Sequence, residues 1–97
     1  MENPDKSGIV KGFDLLCEMI MRLEADDIDG YRELNKEAIE LQKELFGKDY
    51  SNNPRNPLFR IHDKVAAYMP GISDGDYLDS LRKLINDRKT ELGLTKT

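Results

Sequence analysis

The sequence has no tryptophan, one cysteine, four prolines and no apolar run near the ~20 residues that a membrane-spanning helix requires. Each shortage excludes something. A lone Cys17 cannot close an internal disulfide, so a packed core must hold the fold. No charged segment followed by an apolar stretch reads as a signal peptide, which leads us to expect a cytosolic protein. Basic residues are too few for a broad phosphate-binding face: 15 Lys and Arg stand against 19 Asp and Glu, for a net charge of -4 and a pI near 5.0. No nucleic-acid partner is expected, although an acidic DNA mimic stays allowed.

Catalytic signatures are also missing. There is no Gly-rich phosphate loop, nucleophile elbow or Cys-x-x-Cys pair, and the many carboxylates have no His, Cys or Lys recurring beside them as an acid-base partner. We therefore expect a non-enzyme without cofactor or metal. His62 stands alone beside Asp63 and reads as a surface or boundary histidine. Cys17 has no basic neighbour in sequence and reads as a small buried hydrophobe. The acids around Asp27-Ile28-Asp29-Gly30 suggest a calcium loop, but that frame puts Ala25 first and Lys36 twelfth, where acids are needed. Asp79-Ser80-Leu81 matches the short phosphopantetheine-site motif of acyl carrier proteins, with too little chain following it; Ser80 reads as a helix-surface residue.

What is present is helical spacing. Ile9, Phe13, Leu16, Ile20 and Leu23 recur at intervals of three or four, widened by Val10, Cys17 and Met21, with Gly8 and Gly12 pointing to frayed first turns or a later start. Tyr31, Leu34, Ala38, Leu41 and Leu45 form the cleanest stripe, with Asp29 as predicted N-cap and Gly47 as stop. Lys48 to Pro57, with three Asn and two Pro, is the longest predicted loop. Asn56 is then a cap with Pro57 in the first turn, followed by Leu58, Ile61, Val65 and Tyr68. Ser73 is the cap of a last segment carrying Leu78, Leu81, Leu84, Ile85 and Leu92, with Ile72 and Tyr77 as its staple and Gly93 as its stop. The expected fold is a single all-α domain, an antiparallel four-helix bundle with helices at about 7-24, 29-46, 57-69 and 73-92. Helices this short draw their stability from packing their stripes together.

Charge is distributed unevenly. Residues 1-49 carry -6 and residues 50-97 carry +2. In the second half Arg55, Arg60 and Lys64 belong to the third helix and its approach, and Arg82, Lys83, Arg88, Lys89 and Lys96 to the fourth helix and tail. Two readings follow. These cations either match helix dipoles and steer the helices together, or form a basic recognition surface for an acidic partner or anionic headgroups, with Leu92 and Leu94 adding apolar contacts.

Pro57-Leu58, Arg60-Ile61, Val65, Tyr68, Gly71-Ile72-Ser73, Leu81, Leu84, Ile85, Arg88 and Gly93 together resemble the immunity proteins of class IIa (enterocin A type) bacteriocins. The first two helices match only in length and periodicity, the chain is acidic where family members are often basic, and its tail is shorter. The resemblance implies a cytosolic bundle, free in the cytosol or peripheral at the inner face of the cell membrane, that protects a producer from its own pore-forming peptide without destroying it. It implies binding to the bacteriocin-occupied sugar-transport permease. It also puts specificity in the C-terminal half, here Gly71, Ile72, Arg88, Lys89, Leu92, Leu94 and Lys96. The competing expectation is a small acidic adaptor or inhibitor, for instance one encoded by a mobile element, that presents Glu33, Glu37, Glu40 and Glu44 to a basic groove. A third is a homodimer burying Phe46, Phe59 and Met69; on the first two readings the chain is a monomer or a weak homodimer.

Overall fold

The computed structural model describes residues 6-69 and 76-94. Four α-helices and one short 3-10 turn account for the regular structure: α1 (Lys6–Glu24), α2 (Ile28–Phe46), a turn at Tyr50–Asn52, α3 (Phe59–Ala66) and α4 (Asp76–Glu91), with no strand among the described residues. The all-α expectation holds. The third helix is shorter than expected, since α3 has only 8 residues where 57-69 is predicted.

α1 is the central helix and packs against the other three. Phe13, Leu16, Met19 and Ile20 are wholly enclosed, and Ile9, Leu15 and Leu23 are buried beside them. This arc is broader than the predicted stripe because α1 is covered from several sides. Met21, expected to widen the stripe, is instead 60% exposed. Leu58, Ile61 and Val65 close the core from α3, and Leu78, Leu81 and Ile85 from α4. From α2, which has the cleanest sequence periodicity, only Ala38 and Gln42 are fully buried; Tyr31, Leu34, Leu41 and Leu45 pack partly buried against the core.

The glycines of α1 correct another expectation. Its helix starts at Lys6, and Gly8 and Gly12 lie where side chains of other elements press close. A Cβ at Gly8 would stand 2.8 Å from Leu45 Cδ2, and one at Gly12 would stand 3.0 Å from Leu58 Cδ2 and closer still to its Cδ1. α2 folds back along α1, with Gly8 against Leu45 at one end and Arg22 paired to Asp27 at the other.

Local hydrogen bonds set the helix boundaries. Asp26 adopts φ 59, and Asp27 N–H reaches Arg22 O (2.8 Å) while Asp26 N–H reaches Leu23 O (3.2 Å), a left-handed C-terminal stop made without glycine. The chain is thereby turned so that Asp27, not the predicted Asp29, caps α2, its Oδ1 accepting from Gly30 N–H at 3.0 Å. Gly47 (φ 82) and Gly93 (φ 71) end α2 and follow α4 as expected. Beyond α4, Leu94 N–H bonds Lys89 O at 2.8 Å, and the Leu94 side chain packs on the core. Asn56 Oδ1 accepts from Leu58 N–H at 2.8 Å, which holds Pro57 in a turn ahead of α3 and delays that helix to Phe59. The predicted cap Ser73 and its staple partner Ile72 lie outside the described residues.

Tyr68 and Tyr77 stack at 6.1 Å, and Tyr77 O–H donates to Lys64 O at 2.5 Å, clasping α3 to α4. No helix among the described residues is long and apolar enough to cross a membrane.

Candidate partner-binding cleft

The tertiary structure separates the seven basic residues of the second half that lie among the described residues into two groups. Arg82 lies between Glu24 of α1 and Asp79, hydrogen-bonding both. Its guanidinium holds the Glu24 carboxyl below the ordinary carboxylate value. Lys83 meets Asp87 at 3.5 Å, and Lys89 meets Asp14 of α1 at 3.9 Å. These three cations match the first reading of the charge pattern, since their partners are within the molecule. Such exposed pairs contribute little to stability, of order 0-1 kcal/mol each.

Arg55, Arg60, Lys64 and Arg88 behave differently. They line one cleft of about 960 Å³, between the 51-57 loop, α3 and the C-terminal half of α4. Among the described residues Arg55, Arg60 and Lys64 have no ion-pair partner, and Arg88 reaches only its own-helix neighbour Glu91 at 3.7 Å. No carboxylate among the described residues lines the cleft. The wall is otherwise apolar and amide-rich, with Phe59, Ile61, Leu84 and Leu92 facing it beside Asn52 and Asn53. Helical geometry produces the arrangement: Arg60 and Lys64 stand one turn apart on α3, and Leu92, just past the end of α4, stands one turn beyond Arg88, its N–H bonded to Arg88 O at 3.0 Å. Like charges gathered with only Glu91 beside one of them repel one another, so the cluster does little for the isolated fold.

Behind the loop wall runs a buried polar chain. Leu58 N–H donates to Asn56 Oδ1, so the Asn56 amide NH₂ faces the other way, donating to Tyr50 O and to Gln42 Oε1, both at 2.9 Å. Gln42 must then donate from Nε2 to His62 Nδ1 at 2.8 Å. His62 consequently carries its proton on Nε2 and donates to Asn35 Oδ1 at 2.6 Å. Two backbone groups thus fix the tautomer of a histidine on another element. His62 is 6% exposed, which corrects its reading as a surface or boundary histidine, and burial pushes its pKa down against the opposing pull of Asp63.

The predicted site residues are dispersed. Arg88 and Leu92 line the cleft; Lys89 points to α1, and Leu94 packs on the core. Gly71, Ile72 and Lys96 lie outside the described residues. Ser51 to Pro57 were not among the predicted site residues, and their only signal was Arg55 within an Asn- and Pro-rich run. Of the three residues proposed for a dimer face, Met69 is exposed, whereas Phe46 packs on the core and Phe59 packs edge-on against Tyr50. Cys17 is half-buried, and burial raises its thiol pKa, which lowers its reactivity. Ser80 is exposed and bonds Tyr77 O, as a helix-surface serine does. Among the described residues no three His, Cys, Asp or Glu side chains could together hold a metal ion. No protein-family model, curated protein or solved structure matches the chain.

Proposed function

We propose that the chain is a non-catalytic immunity protein of the class IIa bacteriocin type, which protects its host from the cytosolic side by binding a membrane receptor complex. The observation that carries this reading is the cationic cleft. Three of its four cations, Arg60, Lys64 and Arg88, belong to the Pro57-to-Gly93 stretch on which the family resemblance rests, and none has a partner on another element among the described residues. Arg60 and Lys64 have no ion-pair partner among the described residues, and Arg88 has only the exposed same-helix Glu91, so these charges are available to a partner. The test is expression in a bacteriocin-sensitive Gram-positive host, followed by challenge with a panel of class IIa peptides. Selective survival against one or two peptides is expected; uniform killing in cells that contain folded protein would remove the immunity reading.

A second reading has its own support. Glu33, Glu37, Glu40 and Glu44 are exposed on one stripe of α2 and form no ion pair among the described residues, as an acidic adaptor would require. On that reading, replacing these glutamates by glutamine abolishes partner capture while cleft substitutions are tolerated.

A further inference from the structure

The cleft restricts the chemistry of what can fill it. A single phosphate or carboxylate would engage one or two cations and leave Phe59, Leu84 and Leu92 wet around a space of about 960 Å³. Leu92 is already 43% exposed at the edge of this space. An anionic membrane meets a body of net charge -4, and reaches a concave cluster less easily than a protruding one. A narrow polypeptide segment inside the cleft senses mainly the local cations, because charges more than about 8 Å away are largely screened at physiological salt. Its carboxylates can meet the guanidinium forks of Arg60 and Arg88 in two-point contacts, and its apolar side chains can cover the floor.

Resting on the cleft as the working surface, we infer that it binds an acidic amphipathic segment of a partner polypeptide, with carboxylates on Arg60, Lys64 and Arg88 and apolar side chains on Phe59, Leu84 and Leu92. Arg55 closes the loop side of the same site.

The probes are two end-capped, fluorescein-labelled peptides of roughly 14 residues, about four helical turns, with Leu at helical spacing and either Glu or Lys elsewhere. Anisotropy should show the Glu peptide binding, more weakly at high salt, and the Lys peptide not binding. Arg60→Glu with Lys64→Glu should invert that preference with the helical circular dichroism unchanged. Leu92→Ser should weaken the Glu peptide several-fold without inverting the preference. Equal binding of both peptides, or unchanged affinity in the double reversal, overturns the inference. Displacement of the Glu peptide by inorganic phosphate, or tighter binding to phosphatidylserine vesicles than to the peptide, also overturns it and assigns the cleft to a phosphate group or a membrane. If peptide binding fails while cells remain protected, only the ligand assignment falls; if it succeeds without protection, only the immunity reading falls.

Discussion

Gln42→Leu tests the buried polar chain at its centre. Gln42 is wholly enclosed and links His62 to Asn56, accepting from Asn56 Nδ2 and donating to His62 Nδ1. Leucine has similar bulk and strands two groups: the His62 Nδ1 lone pair and one N–H of Asn56, whose other N–H keeps Tyr50 O. Each stranded group costs about 1-3 kcal/mol, and burying the leucine returns about 1-2 kcal/mol, for a net loss on the order of 2-3 kcal/mol. A domain of this size should melt roughly 10-20 °C lower. Urea unfolding followed by circular dichroism measures the loss. The double variant Gln42→Leu with His62→Phe removes both members of the broken bond, so it should lose less than the sum of the two single variants. A loss below about 0.5 kcal/mol for Gln42→Leu, or strict additivity in the double variant, would show that the chain of hydrogen bonds does not hold the fold.

Three further outcomes follow from particular residues. His62 has a pKa below 6.5 in the folded state, so the unfolded chain takes up the proton first; stability is full above about pH 6.5 and declines as pH falls through the lower folded value, a decline that pH-dependent urea midpoints should show and His62→Phe should reduce. Asp26→Gly should raise stability by up to about 1 kcal/mol in the same measurement, since φ 59 disfavours a side chain and the Asp26 carboxylate has no hydrogen bond among the described residues. Gly12→Ala should lower stability by about 1-3 kcal/mol because the new methyl meets enclosed Leu58, and Leu58→Ala in the Gly12→Ala background should cost less than it does alone.

The helices were legible because apolar side chains at intervals of three and four can be buried together only on a helix. Phe13, Leu16, Ile61, Leu81 and Ile85 all reach the core from that pattern. Boundaries were less legible, since they depend on single side-chain hydrogen bonds. Asp27 and Asp29 are equally good caps in sequence, and the left-handed Asp26 decides between them. The polar chain left a trace: Gln42 follows Ala38 by four residues, and Asn35 precedes it by three, so the row runs along the edge of the apolar stripe. His62 completes that row from another helix, which local spacing could not disclose.

The cleft was half legible. The charge asymmetry showed that cations gather in the second half, but only the packing of α4 on α1 separates those that meet Asp14 and Glu24 from those that do not. Arg88 and Lys89 are neighbours in sequence, yet Arg88 lines the cleft and Lys89 meets Asp14 of α1, because successive residues on a helix point about 100° apart.

The most direct test of the cleft as the working surface compares two charge reversals of equal size in the protection assay. Arg60→Glu with Lys64→Glu changes cations of the cleft, and Lys83→Glu with Lys89→Glu changes cations paired within the molecule. With both variants folded by circular dichroism, the account predicts that the first loses protection and the second keeps it. Equal protection by both, or loss only in the second, would contradict it.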